Sequence, residues 1–386
     1  MAIDASVPAS NSASSGPIRV MLVDDSAVVR GLVTRLLEGE SDIQVAASVG
    51  NGQMALAALE RNEFDVVLLD IEMPVMDGLV ALPKLLQIDP GLKIIMQSTL
   101  TLKGADVSMR ALGMGAADYI PKPTATRDLA GGAEFKSELL GKIRALGQAR
   151  RRDPNRPARP GGVPAPRPTS VASTPRTPIS IHPGPISLRT NTPEAPDIIA
   201  IGSSTGGPQA LFTVLGAMRA GTVQQPILIT QHMPATFTTI LAEHIGRVSG
   251  WDAKEAQDNE VVRSGRVYIA PGDFHMVIES KGADKVLRLN KNPPENFCRP
   301  AVDPMLRSIA AAYGKRVLTC ILTGMGADGL KGGQAVVASG GTVIAQDEGT
   351  SVVWGMPGAV ASAGICSAVM PLPEIAPWIM KLATRR

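Results

Sequence analysis

The chain has 386 residues, of which 44% are hydrophobic and 19% charged, and its formal net charge is +3 at pH 7. This length predicts two domains. The sequence has no run of about 18 consecutive apolar residues, which excludes a membrane-spanning helix. The N-terminal stretch also lacks the features of a signal peptide. The three cysteines are widely spaced without a CxxC pair, which fits a reducing cytoplasm and excludes a structural zinc site.

Strands and helices alternate over about 120 residues near the N-terminus. The strands are predicted in IRVMLV, IQVAASV, FDVVLLD, IIMQS and DYIPKP, with helical stretches such as AVVRGLVTRLLEGE and GQMALAALER between them. This order predicts a doubly wound parallel sheet, in which the carboxyl ends of the strands line one crevice. Five polar side chains fall at these ends: Asp24, Asp25, Asp70, Ser98 and Lys122.

The three aspartates of this group predict a metal site. Neighbouring carboxylates repel one another unless a cation lies between them, and oxygen ligands suit Mg²⁺. A lysine beside them could neutralise a phosphoryl group on one aspartate. The alternative is that acids at strand ends only begin solvated loops, but five such positions in succession favour a functional site.

Residues 150–196 form a stretch rich in arginine and proline. Eight arginines face only two acidic residues there, and twelve prolines break the segment. Such a composition cannot bury enough apolar surface to fold, which predicts an extended linker. A nucleic-acid-binding tail is the alternative, but no aromatic side chains are interleaved to stack on bases.

The second half begins with DIIAIGSSTGGPQALF, residues 197–212. A strand, a turn of small residues and a helix start bring hydroxyls to a helix N-terminus, which favours negative charge. A P-loop is excluded because Pro208, not lysine, follows Gly207. Residues 202–206 read G-x-S-x-G, the spacing that raises a serine on a strand-to-helix turn, and this selects Ser204 over Ser203. A plain structural corner is the alternative.

A nucleophilic serine needs a base and an orienting acid. His232 ends the predicted strand PILITQH, and Asp328 follows the strand within KRVLTCILTGMGADG. Alone, His232 could be structural and Asp328 could be a helix N-cap. Three strand ends that supply Ser, His and Asp are nevertheless the arrangement of an α/β hydrolytic site. The order Ser204, His232, Asp328 differs from that of the common serine-hydrolase classes.

Residues 18–123 resemble a response-regulator receiver domain. The resemblance implies that Asp70 accepts a phosphoryl group from a phospho-histidine kinase. Asp24 and Asp25 would hold Mg²⁺ together with Asp70, and Glu72 would lend its backbone carbonyl. The implied phospho-switch residues are Ser98, Tyr119 and Lys122.

Residues 197–380 resemble the chemotaxis protein-glutamate methylesterase (CheB) family. Six segments carry the resemblance in order: IGSSTGG, ITQHMP, YIAPGD, RPAVD, ILTGMGADG and VVWGMP. It implies Ser204 as nucleophile, His232 as general base and then acid, and Asp328 as orienting carboxylate. It also implies Thr205 in the active-site floor and the backbone N–H near Met325 as an oxyanion donor. The loop with Cys298 departs from the family's more basic run.

We therefore expect two doubly wound, mainly parallel α/β domains joined by a long flexible linker. The expected ranges are a disordered extension at 1–16, a receiver domain at 17–145, a linker at 146–196 and a catalytic domain at 197–386. The implied function is phosphorylation-activated demethylation and deamidation of chemotaxis receptors, with no cofactor for the esterase reaction. We expect a cytoplasmic monomer that neither inserts into membranes nor binds nucleic acid. The open alternatives are a DNA-binding regulator and a serine hydrolase with another substrate.

Overall fold

The computed structural model describes residues 16–122, 125–153, 186–190, 195–218 and 220–385. These residues form two α/β domains, each built on a parallel sheet. Within these ranges, no helix is both long and apolar enough to cross a bilayer. The expected extension at 1–16 lies almost wholly outside the described residues.

The N-terminal domain is a five-stranded parallel sheet with strand order β2-β1-β3-β4-β5. All five residues of β3 are buried, as expected for a central strand covered on both faces. Ser26, Asn51, Asp77 and Thr101 begin four of the helices by accepting a backbone N–H on their side chains, the standard N-cap interaction. Its elements are β1 (Ile18–Val23), α1 (Ala27–Glu38), β2 (Ile43–Val49), α2 (Gly52–Arg61), β3 (Val66–Asp70), α3 (Gly78–Ile88), β4 (Lys93–Ser98), α4 (Leu102–Gly113), β5 (Asp118–Pro121) and α5 (Ala125–Arg152).

Helix α5 continues to Arg152, past the expected domain end at residue 145. Two of the arginines assigned to the linker pair with acids of the N-terminal domain. Arg150 is buried and contacts Asp89 at 2.7 Å, and Arg151 contacts Asp65 at 2.9 Å. Residues 146–152 of the predicted linker are therefore helical, and most of its remainder lies outside the described residues.

The C-terminal domain is a seven-stranded sheet with order β14-β13-β12-β6-β7-β9-β8 and an antiparallel hairpin, β10-β11. All pairings within the seven-stranded sheet are parallel. Its elements are β6 (Ile198–Ser203), α6 (Gly207–Ala217), β7 (Ile227–Gln231), α7 (Ala235–Ser249), β8 (Asp252–Glu255), β9 (Arg266–Ile269), β10 (His275–Lys281), β11 (Asp284–Asn290), α8 (Val302–Tyr313), β12 (Val317–Ile321), α9 (Leu330–Ala338), β13 (Thr342–Gln346), α10 (Met356–Ser362), β14 (Ala368–Met370) and α11 (Leu372–Ala383).

The three central strands β12, β6 and β7 are neighbours in this sheet. The chain runs from β6 to β7 on one side and later returns to β12 on the other, so the strand order reverses between β12 and β6. Crevices at such a reversal are the usual ligand sites of open parallel sheets. Ser204, His232 and Asp328 all follow these three strands.

The two domains share one interface, formed by α4, β5 and α5 of the first domain. Helix α4 lies against α6 and α7, and the rings of Tyr119 and Phe237 stack with centroids 4.2 Å apart. Gln209 donates hydrogen bonds to the carbonyls of Leu112 and Ala116 at 2.6 and 2.5 Å. Apolar, aromatic and polar contacts thus hold the first domain on the helices that flank the central crevice.

Candidate active site and phosphorylation site

The turn that follows β6 holds the backbone of Ser204 on both sides. Its N–H donates to the Thr323 carbonyl at 3.0 Å, and its carbonyl accepts from Gly207 at 2.7 Å and from the Gln231 amide at 2.9 Å. Gly206 takes a left-handed φ of 75° at the cap of α6, a conformation that glycine adopts without steric cost. The half-buried Ser204 is therefore fixed at the start of α6, where helix N–H groups favour negative charge.

The glycines of this turn are required by close contacts. A Cβ at Gly207 would lie 2.0 Å from Oε1 of Gln231, and one at Gly324 would lie 2.9 Å from Cβ of Ser204. The small-residue composition of the stretch thus lets β6, β7 and the loop after β12 approach one another around Ser204.

His232 and Asp328 form a direct pair, with Nε2 of His232 2.7 Å from Oδ2 of Asp328. Asp328 is 1% exposed and accepts backbone N–H groups of Val302 at 2.6 Å and of Asp303 at 3.0 Å. Asp328 therefore lies at the N-terminus of α8, whose dipole favours its charge. The N-cap alternative for α9 gains little support, because that cap is Gly329.

Each partner shifts the other's pKa toward the charged form. Burial disfavours the charge on both groups, but the hydrogen bonds and charges of Asp328 and Cys298 outweigh it and raise the pKa of His232. Burial likewise raises the pKa of Asp328, but His232 and the α8 amides outweigh it and lower the net value. Asp328 is therefore held as a carboxylate that orients and charges the imidazole.

The other ring nitrogen of His232 contacts a residue that sequence reasoning did not assign to the catalytic site. Sγ of Cys298 lies 3.4 Å from Nδ1. Within the residues that the structure describes, no hydrogen bond joins Ser204 to His232, although both follow paired strands. Cys298 could not be found from strand ends, because it lies in the loop before α8.

Two further residues of that region support Asp328. Nδ2 of Asn296 is 2.9 Å from Oδ1 of Asp328 and 3.1 Å from Oδ2 of Asp303. Asp303 also accepts the N–H groups of Gly329 and Gly332 at 3.0 and 2.7 Å. This network ties the starts of α8 and α9 to the carboxylate that holds His232.

The predicted supporting residues Thr205 and Met325 lie on the two loops beside Ser204. Thr205 is buried, and its carbonyl accepts the hydroxyl of Thr323 at 2.9 Å. Met325 is 37% exposed, and a Cβ at Gly141 of α5 would lie 3.0 Å from its Cε. The loop expected to bind an oxyanion is therefore in contact with the N-terminal domain.

The N-terminal domain brings together the predicted carboxylates. Ligand oxygens of Asp24, Asp25 and Asp70 all lie within 4.8 Å of one another. Oδ2 of Asp24 is buried and accepts no hydrogen bond, while Lys122 approaches it at 3.5 Å and Asp70 at 2.6 Å. Burial raises the pKa of Asp70 to about 6, although Lys122 opposes this shift. Three clustered carboxylates with an unsatisfied buried oxygen fit a hard divalent cation.

The remaining predicted switch residues occupy distinct positions around this cluster. Glu72 directs its exposed side chain to Lys103 at 3.2 Å, which leaves the expected role to its backbone carbonyl. Oγ of Ser98 is 2.9 Å from Oγ of Ser108 on α4. Tyr119 is buried in the domain interface. Ser98 and Tyr119 therefore link the carboxylate cluster to the elements that face the second domain.

Comparison with known proteins matches two parts of the chain to two protein families. Residues 199–379 match the family model described as CheB methylesterase, and residues 20–133 match the response regulator receiver domain. The chain is 83% identical over 100% of both sequences to the protein-glutamate methylesterase/protein-glutamine glutaminase 1 of Paramagnetospirillum magneticum. It is 60% identical to the corresponding protein of Rhodospirillum rubrum, over 96% of each chain. A solved CheB methylesterase catalytic domain from Thermotoga maritima is 41% identical, with a TM-score of 0.47, and the match covers 49% of this chain and 99% of that one.

Proposed function

Because this chain belongs to the CheB family of protein-glutamate methylesterases/protein-glutamine glutaminases, we propose that Ser204, His232 and Asp328 carry out its reaction. The enzyme hydrolyses glutamate methyl esters and deamidates glutamines on chemotaxis receptors, and a receiver domain regulates it. The observation that carries the assignment is the buried 2.7 Å pair between His232 and Asp328 at a strand end next to Ser204.

The pairing determines which nitrogen of His232 acts as the base. Nε2 donates its proton to Asp328, so Nδ1 must receive the proton of the Ser204 hydroxyl. Ser204 then attacks the γ-carbonyl, the C–O bond to methanol breaks, and His232 returns the proton to the leaving oxygen. Water then attacks the glutamyl ester while His232 takes its proton, and His232 returns that proton to Oγ of Ser204 as the acyl bond breaks. An amide substrate forms the same acyl intermediate with ammonia leaving.

The negative charge of the tetrahedral intermediate needs nearby donors. We assign this role to backbone N–H groups near Met325, with Thr205 forming the floor beside Ser204. A single such donor contributes about 2.7–4 kcal/mol to lowering the barrier in comparable sites. No cofactor enters this scheme, because each proton transfer is made by His232.

Asp70 is the proposed phosphoacceptor of the receiver domain, and a histidine kinase is the phosphodonor. Mg²⁺, on which receiver phosphorylation depends, would be held by Asp24, Asp25, Asp70 and the Glu72 carbonyl and would neutralise phosphoryl charge. Lys122 supplies a further positive charge 2.6 Å from the acceptor carboxylate. Ser98 would leave Ser108 to donate to the phosphoryl group.

We further propose that the unphosphorylated receiver inhibits the catalytic domain by covering the entrance to Ser204. Contact between α5 and the Met325 loop and stacking of Tyr119 on Phe237 support this, since Phe237 lies five residues after His232. Raising an open population from about 1% to 50% needs a bias of about 2.7 kcal/mol, which one phosphoryl group could supply.

We propose a monomer that acts in the cytoplasm without membrane insertion. We also propose the domain division, with the receiver now ending near Arg152 and the catalytic domain beginning near 197.

Methanol release from methylated chemoreceptor membranes tests the chemistry and its regulation together. Ser204→Ala should lose at least about 10³-fold in rate, because the nucleophile is removed. Ser203→Ala is the matched control: its hydroxyl is buried and donates to Gln231 at 2.6 Å, so most activity should remain. Acetyl phosphate should stimulate the wild type. Loss in Ser203→Ala with retention in Ser204→Ala would contradict the assignment.

A further inference from the structure

Cys298 contacts Nδ1 of His232, the ring nitrogen that must accept the Ser204 proton in the proposed mechanism. Asp328 engages Nε2 of His232 at 2.7 Å, and Sγ of Cys298 is 3.4 Å from Nδ1. Both nitrogens of the imidazole are thus partnered before a substrate arrives. The Ser204 hydroxyl, in contrast, makes no hydrogen bond to His232 within the described part of the chain.

The loop that carries Cys298 is fixed to the same carboxylate. Asn296, two residues earlier, donates to Asp328 at 2.9 Å, and the N-terminus of α8 begins four residues after Cys298 and binds Asp328 as well. One segment therefore contacts both ends of the His232–Asp328 pair. Its thiol is placed by the same contacts that place the acid.

The two groups that contact the ring nitrogens of His232 both favour a proton on the ring. Asp328 faces it from the loop before α9, and Cys298 faces it from the loop before α8. Behind Asp328 lie Asp303 and, further out, the charge of Arg307. The contact with Cys298 adds to that of Asp328 in raising the pKa of His232.

We infer that Cys298 is a positioning residue for the catalytic base, whose thiol holds Nδ1 of His232 in the resting enzyme until the Ser204 hydroxyl displaces it. Transfer of the proton from sulfur to Nδ1 breaks the S–H bond and forms an N–H bond without any redox change. The reverse transfer, which breaks that N–H bond and re-forms S–H, must precede attack, because Nδ1 has to be free to accept the Ser204 proton. This inference rests on the proposed function of His232. It makes departure of Cys298 from Nδ1 a step that precedes attack.

Alkylation tests the pair without reference to esterase activity. The full-length enzyme is treated with iodoacetamide at pH 6.5, and the labelling rate of each cysteine is followed by mass spectrometry. Cys298 should react at least about tenfold faster in the wild type than in His232→Gln, because an imidazole that takes the thiol proton activates the sulfur. Cys320 and Cys366 are internal controls, since both are buried and burial raises their pKa. Equal rates for Cys298 in the two proteins would overturn the inference.

The pH profile of kcat/KM tests the effect on the base. Cys298→Ser and Cys298→Ala should both move the ascending limb to lower pH, by about one unit. The sign follows because His232 must be neutral to accept a proton, and loss of the thiol lowers its pKa. A loss of activity in Cys298→Ala that Cys298→Ser restores, with no shift of the limb, would mean a packing role and would overturn the inference.

The two experiments separate failure of this inference from failure of the proposed function. An enzyme without methylesterase activity but with fast, His232-dependent labelling would retain the thiol–imidazole pair and lose the methylesterase assignment. If the enzyme is active but Cys298 is labelled slowly and the pH profiles are unshifted, the role of Cys298 would be refuted and the methylesterase assignment would stand.

Discussion

Gly206 is one of the residues on which the position of Ser204 depends. It has a φ of 75°, and a Cβ there would lie 2.6 Å from side-chain carbons of Val352. Any other residue would meet both the left-handed backbone and this side chain. Because Ser204 lies two residues earlier, strain at Gly206 would also displace the nucleophile.

Gly206→Ala should therefore lower the free energy of unfolding by about 1–3 kcal/mol. Gly216→Ala, at the other end of the same helix, is the control: a Cβ there meets nothing within 4 Å, and alanine should stabilise by about 0.4–1 kcal/mol. Urea denaturation of both variants measures the difference. A Gly206→Ala protein as stable as the wild type would show that the turn relaxes easily.

At the scale of elements, α4, β5 and α5 are the parts of the receiver that meet the catalytic domain. Ser98 contacts Ser108 of α4, and Tyr119 of β5 stacks on Phe237. The residues expected to respond to phosphorylation thus belong to, or touch, elements of the interface. A rearrangement at Asp70 can therefore reach the domain interface through Ser98 and Tyr119.

Phe237→Leu should raise basal methylesterase activity about two- to tenfold, because the aromatic pair contributes about 0.5–1.5 kcal/mol beyond its buried area. Leucine keeps an apolar side chain in the core of α7, which limits the loss of stability. Tyr119→Phe preserves both rings and should remain near the wild-type basal rate. The measurement is methanol release without phosphodonor; no rise in Phe237→Leu would argue against the stack as an inhibitory contact.

The sequence predicted those parts of the site that local patterns determine. Ser204, His232 and Asp328 follow buried apolar strands, so their positions at one sheet edge could be inferred from alternation of strands and helices. The end of α5 could not, since its arginines pair with Asp65 and Asp89, which are distant in sequence. The contact of Cys298 with His232 could not be predicted either, because Cys298 lies in a loop outside the sheet.

At the scale of the whole molecule, the two domains form a single packed body across the α4–β5–α5 face. Buried side chains of α5 pack in one apolar cluster with Val353 of the catalytic domain. On the proposed model, inhibition depends on an interface within one chain, where the tether keeps the local concentration of the receiver high.

The fragment 197–386 should release methanol faster than the unphosphorylated full chain and should ignore acetyl phosphate. Removal of the receiver uncovers the Met325 loop and exposes Phe237, while the seven-stranded sheet and its hairpin remain whole. Circular dichroism of the fragment gives the control for folding. A folded fragment no faster than the unphosphorylated full chain would refute the inhibition model.

The stack of Tyr119 on Phe237 has a consequence for the receptor itself. Two ligands that both favour the open arrangement must strengthen each other's binding by the same factor. A receptor helix that enters the cleft therefore favours the phosphorylated receiver, just as phosphorylation favours entry of the helix. On the proposed inhibition model, the receptor is thereby a positive effector of the enzyme that demethylates it.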